Sequence, residues 1–269
     1  MPLLSVLWGL ALLAAIATSF LSAGSTSYRL ARNALDAAQV EVAAEAAVNR
    51  AVLGLLDPNA QTRWRTDGVP RAIDFEGTPM QVRVQDELGR IDLNNADGAL
   101  LSGLFRSVGL DAQAASALVD KILDWREPGS LKRLNGAKDP EYRDAGFPYR
   151  PRNGPFQSVD ELKLVMGMTA ELFRRVEGAV TVYSGRPSID PQVASPEALR
   201  ALPTMDAQKV ATLVAARSAQ PVAAIPLIGR AFAIRIDVER PDGVAHREAV
   251  IRLTDHPAQI FWLLNWKDR

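Results

Sequence analysis

Residues 3–56 read LLSVLWGLALLAAIATSFLSAGSTSYRLARNALDAAQVEVAAEAAVNRAVLGLL, and this stretch decides the fold. Leu3 to Leu21 carries no charge, and the first charged side chain is Arg29. A helix of about 19 residues rising ~1.5 Å each spans about 29 Å, close to the hydrocarbon core of a bilayer. The sequence therefore predicts a membrane anchor over residues 1–23, carried by Leu3, Leu4, Val6, Leu7, Trp8, Leu10, Leu12, Leu13, Ile16, Phe20 and Leu21. A secretory signal peptide is the competing reading, because Ser22-Ala23-Gly24 could pass for a small-residue cleavage site. Against it, no basic segment precedes the run, and the run exceeds the about 7–15 apolar residues of a usual signal.

The apolar run does not end in a turn. Ala and Leu continue, and no proline interrupts before Pro58, as one long helix needs. Leu30, Leu35, Val40, Val42, Ala46, Val48, Val52 and Leu55 recur at helical spacing, so the second half should be amphipathic and need a cover for its apolar stripe.

Strand signals follow at two distant places. Ile73 and Phe75, then Val82 and Val84, alternate with polar residues around Gly77-Thr78-Pro79. Near the C-terminus Phe232, Ile234, Ile236 and Val238 alternate, Pro241-Asp242-Gly243 turns the chain, and Ala249, Ile251 and Leu253 return. This predicts antiparallel hairpins with one buried face. A sheet assembled from both places would enclose the intervening chain as an insertion.

That intervening chain reads as helical and repeats itself. Ile91-Asp92, Ala96 and Leu101 match Ile189-Asp190, Ala194 and Leu199; Asp111-Ala112-Gln113 with Leu118-Val119 matches Asp206-Ala207-Gln208 with Leu213-Val214. Between them, Ser158-Val159-Asp160-Glu161 has the form of a capping box. The expected fold class is α+β, divided as anchor 1–23, first core segment 24–94, helical insertion 95–220 and C-terminal strands 221–269. Trp125 to Pro155 is dense in Pro, Gly, Asn and charge, and is expected to be functional, ion-stabilised or mobile.

Composition narrows the function. Net charge is zero, cysteine is absent, and His246 and His256 are the only histidines. This gives no support to a basic nucleic-acid surface and excludes disulfides, thiol catalysis and a His-rich metal cage. The segment Leu199–Arg217 looks like a helix-hairpin-helix, but its turn is Pro203-Thr204-Met205-Asp206. An acid stands where a phosphate-binding turn needs glycine and open amides, so no nucleic-acid partner is expected. No glycine loop of nucleotide-binding type and no catalytic constellation accompanies the histidines. Phe261, Trp262 and Trp266 are expected to pack the chain end.

Several motifs in order carry a family resemblance: LLSVLWGLALLAAI at the N-terminus, DELGRIDLNNA (86–96), LVDKILDWREP (118–128), FPYRPRNGPFQSVDELKLVMGMT (147–169) and VTVYSG (180–185). The chain resembles the K-type minor pseudopilins of bacterial type II secretion over nearly its whole length. The resemblance implies a pilin-like core with an inserted helical domain, an inner-membrane subunit with its bulk in the periplasm, and no enzymatic activity. It also implies assembly with the I- and J-type minor pseudopilins through the N-terminal helix, at the pseudopilus tip, and contact with the secretin or with secreted cargo. A secreted periplasmic binding module is the alternative, and a helix-hairpin-helix DNA-binding protein a weaker one.

Two family features are altered. Precursors carry a short basic leader ending in glycine, and nothing of that kind precedes Leu3, so the chain either starts near its mature end or has a misplaced start codon. The acidic calcium-binding segment is thinned: Glu127-Pro128-Gly129-Ser130 follows Trp125-Arg126, and Lys138 stands where an acid is common. Asp124, Glu127, Asp139 and Glu141 remain as the expected ligands of at most one weakened calcium site, an ion that would offset the cost of ordering the loop; the alternative is that they are solvated loop charges balanced by Lys132, Arg133 and Lys138. Pilin-type subunits also carry a glutamate at the fifth mature position, where this chain has Ser5. A charge at bilayer depth costs about 2.5–3.5 kcal/mol. A subunit lacking that acid offers no pairing to a subunit above it and suits the tip.

Overall fold

The computed structural model describes residues 2–220, 226–240 and 242–268; of residues 20–26 only the backbone is described. The first helix, α1, runs unbroken from Pro2 to Leu55, about 81 Å at ~1.5 Å per residue. Two strands follow, β1 (Asp67–Phe75) and β2 (Thr78–Asp86), joined at Glu76-Gly77, where both residues have positive φ. The chain then enters a region of short elements. These are β3 (Ile91–Asp92), α2 (Gly98–Ser107), α3 (Ala112–Arg126), α4 (Asp139–Asp144), α5 (Ala170–Val176), β4 (Val180–Thr181), α6 (Pro196–Leu199) and α7 (Ala207–Ser218). It returns through β5 (Ala231–Arg240), β6 (Gly243–Leu253) and β7 (Phe261–Asp268).

The main sheet has the order β1-β2-β5-β6-β7, antiparallel throughout. β2 and β5 are therefore neighbours although the helical region lies between them in the chain. The expected face is buried: Phe232, Ile234, Ile236, Val238, Ala249, Ile251 and Leu253 pack with Met80, Val82 and Val84 beneath α1. At Ala233 and Val250 the opposite face is buried as well, near the point where Arg252 donates to the Tyr183 carbonyl. Arg240 pairs with Gly243 across the last hairpin; Pro241 of the expected turn, and residue 221 at the expected boundary, lie outside the described residues.

The stripe of α1 that meets the sheet differs from the expected one. Val40, Val48, Val52 and Leu55 are buried, but the remaining contacts are Ala43, Ala44, Ala47 and Ala51. Alanine lets a helix backbone lie close on a sheet, where a leucine would hold it away. Leu30, Leu35 and Val42 are exposed instead.

The helical region has its own apolar core, centred on Leu101, Leu104, Phe105, Ile122, Tyr142, Leu162 and Leu199. Its repeat is strongest at the helix starts. Asp111 caps α3 by accepting from the Ala114 amide, and Asp206 caps α7 by accepting from the Lys209 amide. The repeat weakens elsewhere, since α2 has 10 residues and α6 only 4. The predicted capping box at Ser158 does not form. Glu161 accepts instead from the Arg152 guanidinium and the Gln157 amide, and Val159–Leu164 is a 3₁₀ segment with no side-chain cap. An ionic partner outcompetes the local amide, because charge-assisted bonds are the stronger ones. Thr169 supplies the cap of the next helix, α5, by accepting from the Leu172 amide.

Candidate functional site

Three features could carry function: the exposed length of α1, the loop after α3, and the two helical hairpins. Pro2–Ser19 is long and apolar enough to cross a membrane, and none of it is buried against the described residues. Leu3, Leu4, Val6, Leu7, Trp8, Leu10, Leu12, Leu13 and Ile16 are all exposed; the side chains of Phe20 and Leu21 lie outside the described ones. Ser5 donates its hydroxyl to the Pro2 carbonyl at 2.8 Å. Its one donor is thus satisfied within the helix, which removes most of the cost of placing it in lipid.

Beyond the apolar span, α1 has two distinct faces. Tyr28, Leu35, Val42 and Leu53 are exposed. At about 100° per residue they fall on one line, opposite the line of Val40, Ala44, Ala47 and Ala51 that meets the sheet. The outward face of a surface helix is ordinarily polar. Here it carries exposed apolar side chains from Tyr28 to Leu53 along the outside of the molecule.

The loop from Trp125 to Pro155, expected to be functional, ion-stabilised or mobile, is folded around aromatic side chains. Trp125, Tyr142, Phe147, Tyr149 and Phe156 form a chain of aromatic contacts with ring centroids 5.2–6.1 Å apart. The buried Tyr142 hydroxyl accepts from the Met166 amide at 2.8 Å, and burial raises its pKa to about 12. Above this core lies a polar network. Arg133 reaches Asp124 at 2.9 Å and Glu127 at 2.6 Å; Lys132 pairs with Glu141 at 2.7 Å and Arg150 with Asp139 at 3.5 Å. The hydrogen bonds from Arg133 hold the Glu127 carboxyl below its ordinary range, and Lys132 does the same for Glu141.

These four acids do not fit a calcium ion as they are arranged. Calcium takes about 6–8 oxygens at 2.3–2.6 Å. Each acid here faces a basic side chain instead, and among the described residues no three acidic or histidine groups gather as a metal cage. The Asp124 carboxylate, fully buried, is taken by the Arg133 guanidinium and the Arg133 amide.

In the helical hairpins, the acids at 111 and 206 spend themselves on helix amides, as the caps above show. Those are the donors a phosphate would require. Of the histidines, His246 pairs with Asp237 at 2.8 Å on the outer sheet face, where Arg83 also binds that carboxylate. His256 accepts from the Ala258 amide in a turn. Both are structural contacts. Phe261 and Trp266 pack on the sheet core as expected, but as part of an edge strand, β7, with Trp262 outward.

A long helix is thus apolar at one end and laid on an antiparallel sheet at the other. Residues 84–185 match the family described as "Type II secretion system (T2SS), protein K". Four relatives carry the name "Type II secretion system protein K", two of them as follows. The one from Pectobacterium carotovorum subsp. carotovorum is 23% identical over 118 residues, covering 44% of this chain and 32% of the relative. The one from Pseudomonas aeruginosa is 25% identical over 164 residues, covering 57% and 49%. The chain thus spans a third to a half of these relatives' length. Among solved structures, the GspK-GspI-GspJ complex from the enterotoxigenic Escherichia coli Type 2 Secretion System aligns with a TM-score of 0.62 at 16% identity, covering 88% of this chain and 98% of that one. The shared fold is a mixture of helices and antiparallel sheet behind an N-terminal apolar helix.

Proposed function

We propose that this chain is a minor pseudopilin of a bacterial type II secretion system, anchored in the inner membrane by residues 1–23 with the rest in the periplasm. The observation that carries this reading is the two-faced helix. One face of α1 is sealed against its own sheet by alanines; the other carries exposed apolar side chains from Tyr28 to Leu53. A helix built this way is suited to lie beside partner helices in a filament. The partners we assign are the I- and J-type minor pseudopilins, by analogy with the solved complex. The region 95–220 acts as a helical domain inserted into a core made of 24–94 and 221–269, and presents its surface to secretin or cargo. The role is structural, and no catalysis is assigned.

The tip position we assign is supported by Ser5, which offers no carboxylate to a subunit above it. The test is co-expression of the full-length chain with the I- and J-type subunits, followed by capture from detergent-solubilised membranes. Leu35→Glu with Val42→Glu alters only exposed positions, so the variant should fold, fractionate with membranes and lose capture. Ser5→Glu should keep capture and impair pseudopilus initiation, read by secretion. Undiminished capture by the double variant sinks the stripe, and undiminished secretion by Ser5→Glu sinks the tip assignment.

A further inference from the structure

We infer that the Lys138 ammonium is a built-in cation that orders the 124–155 loop in this chain, so that the loop needs no calcium. Its Nζ is buried and donates to the Asp124 carbonyl at 2.5 Å, the Glu127 carbonyl at 2.7 Å and the Asn153 Oδ1 at 3.0 Å. An ammonium has three protons and no acceptor, and here each proton has one oxygen. The three oxygens come from the two ends of the loop: the end of α3 on one side and Asn153 on the other. One ammonium thus ties together segments that a bound ion would otherwise have to bridge.

The surrounding charges are settled in the same way. Arg133 neutralises Asp124 and Glu127 together, donating to both oxygens of Glu127 at 2.6 and 2.7 Å. Asn153 also donates to Asp139 at 3.3 Å, which orients its Oδ1 toward Lys138. The backbone is shaped for this packing. A Cβ at Gly136 would fall 1.8 Å from Asp124 Oδ2, so only glycine lets the 133–136 turn close down on that carboxylate. A divalent ion entering here would meet the ammonium at contact distance and find the Asp124 and Glu127 carbonyls already engaged. Their attraction for a second cation falls with every oxygen that Lys138 and Arg133 satisfy.

The experiment uses the full-length chain in detergent. Thermal melting, and hydrogen exchange of the amides in 127–147, are measured in millimolar calcium and in excess chelator. The wild-type curves should superimpose, and loop protection should be the same in both. Lys138→Met keeps the length of the side chain and removes its charge; it should lower the melting temperature by several degrees and speed exchange in the loop, with no recovery in calcium. Lys132→Met breaks the half-exposed pair with Glu141 and should do much less. A wild-type loop better protected in calcium than in chelator overturns the inference, as does Lys138→Met with wild-type melting and protection. If Lys138→Met does not fold, the wild-type comparison still decides.

Discussion

Gly103 offers the sharpest test of how the two helical repeats fit together. It lies in α2, and a Cβ built on it would stand 2.0 Å from the Ala201 carbonyl oxygen and 3.0 Å from the carbonyl carbon. A carbon–oxygen contact settles near about 3.3–3.6 Å, so Gly103→Ala demands a separation of more than ~1 Å. The obstacle is backbone just after α6, flanked by the buried Ala198, Leu199 and Ala201, and no side chain can swing aside. Overpacking of a tight interior costs about 1–3 kcal/mol, and a rigid backbone obstacle belongs at the upper end. Replacing glycine by alanine inside a helix returns about 1 kcal/mol. The net expectation is a loss of about 2 kcal/mol, or a fall of roughly 4–8 °C in melting temperature for a protein of this size. Gly98→Ala is the control. Its Cβ would meet Val119 and Leu123 side chains at 3.5 and 3.7 Å, ordinary contact, and it should be neutral or slightly stabilising. Circular dichroism melts of the two variants side by side decide the matter. Gly103→Ala melting at or above wild type would refute the close docking of α2 on the chain at 201.

Burial raises the Asp86 pKa to about 6 from an ordinary 3.8. The folded state therefore binds the proton more tightly, and stability from this group is full below about pH 4 and declines as pH rises through about 6. Asp86→Asn should flatten unfolding free energy between those limits; an unchanged slope would assign it to Glu87, whose carboxyl burial also raises. Asp206→Ala removes the cap that holds the Lys209 amide and should cost about 1 kcal/mol in urea unfolding, with Asp206→Asn close to wild type.

Much of this architecture was legible because its signals are local. Helix α1 was readable from an alanine- and leucine-rich run with no breaker before Pro58, and the buried faces of β5 and β6 from strict alternation. The contact stripe of α1 was misread, because leucine and valine draw attention while the close approach to the sheet selects alanine. β7 was read only as a packed chain end, since a register shift at Val250/Ile251 breaks its alternation. β3 and β4 pair over two residues each, too few for any pattern. The five aromatic residues of the 125–155 loop region are scattered without period and meet only once the chain has folded. The acids of that loop and the bases Lys132, Arg133 and Lys138 were visible as residues, but not which group meets which: only the fold shows that Lys138 donates to carbonyl oxygens while Lys132 and Arg133 take the carboxylates.

The seam between sheet and helical region explains why the two can act as one body. Each has its own apolar core, and a set of polar contacts joins them. Arg230 reaches Asp86 at 2.9 Å and Asp190 at 3.9 Å, from the end of β2 to the chain before α6. Gln85 donates to the Val193 carbonyl at 2.7 Å, Arg65 to the Arg217 carbonyl at 2.9 Å, and Lys267 on β7 lies 3.4 Å from Asp160. A buried ion pair such as Arg230–Asp86 adds little net stability, because desolvation offsets its attraction. What it does supply is direction: the bonds form only in one relative placement, whereas two greasy faces could slide. Gly89 enforces the same placement sterically, since a Cβ there would lie 2.4 Å from the Val193 carbonyl oxygen. On the proposed role, a filament subunit must carry its outer surface at a set angle to the anchor helix. Here that angle is fixed by the α1–sheet contact at one end and by this polar seam at the other.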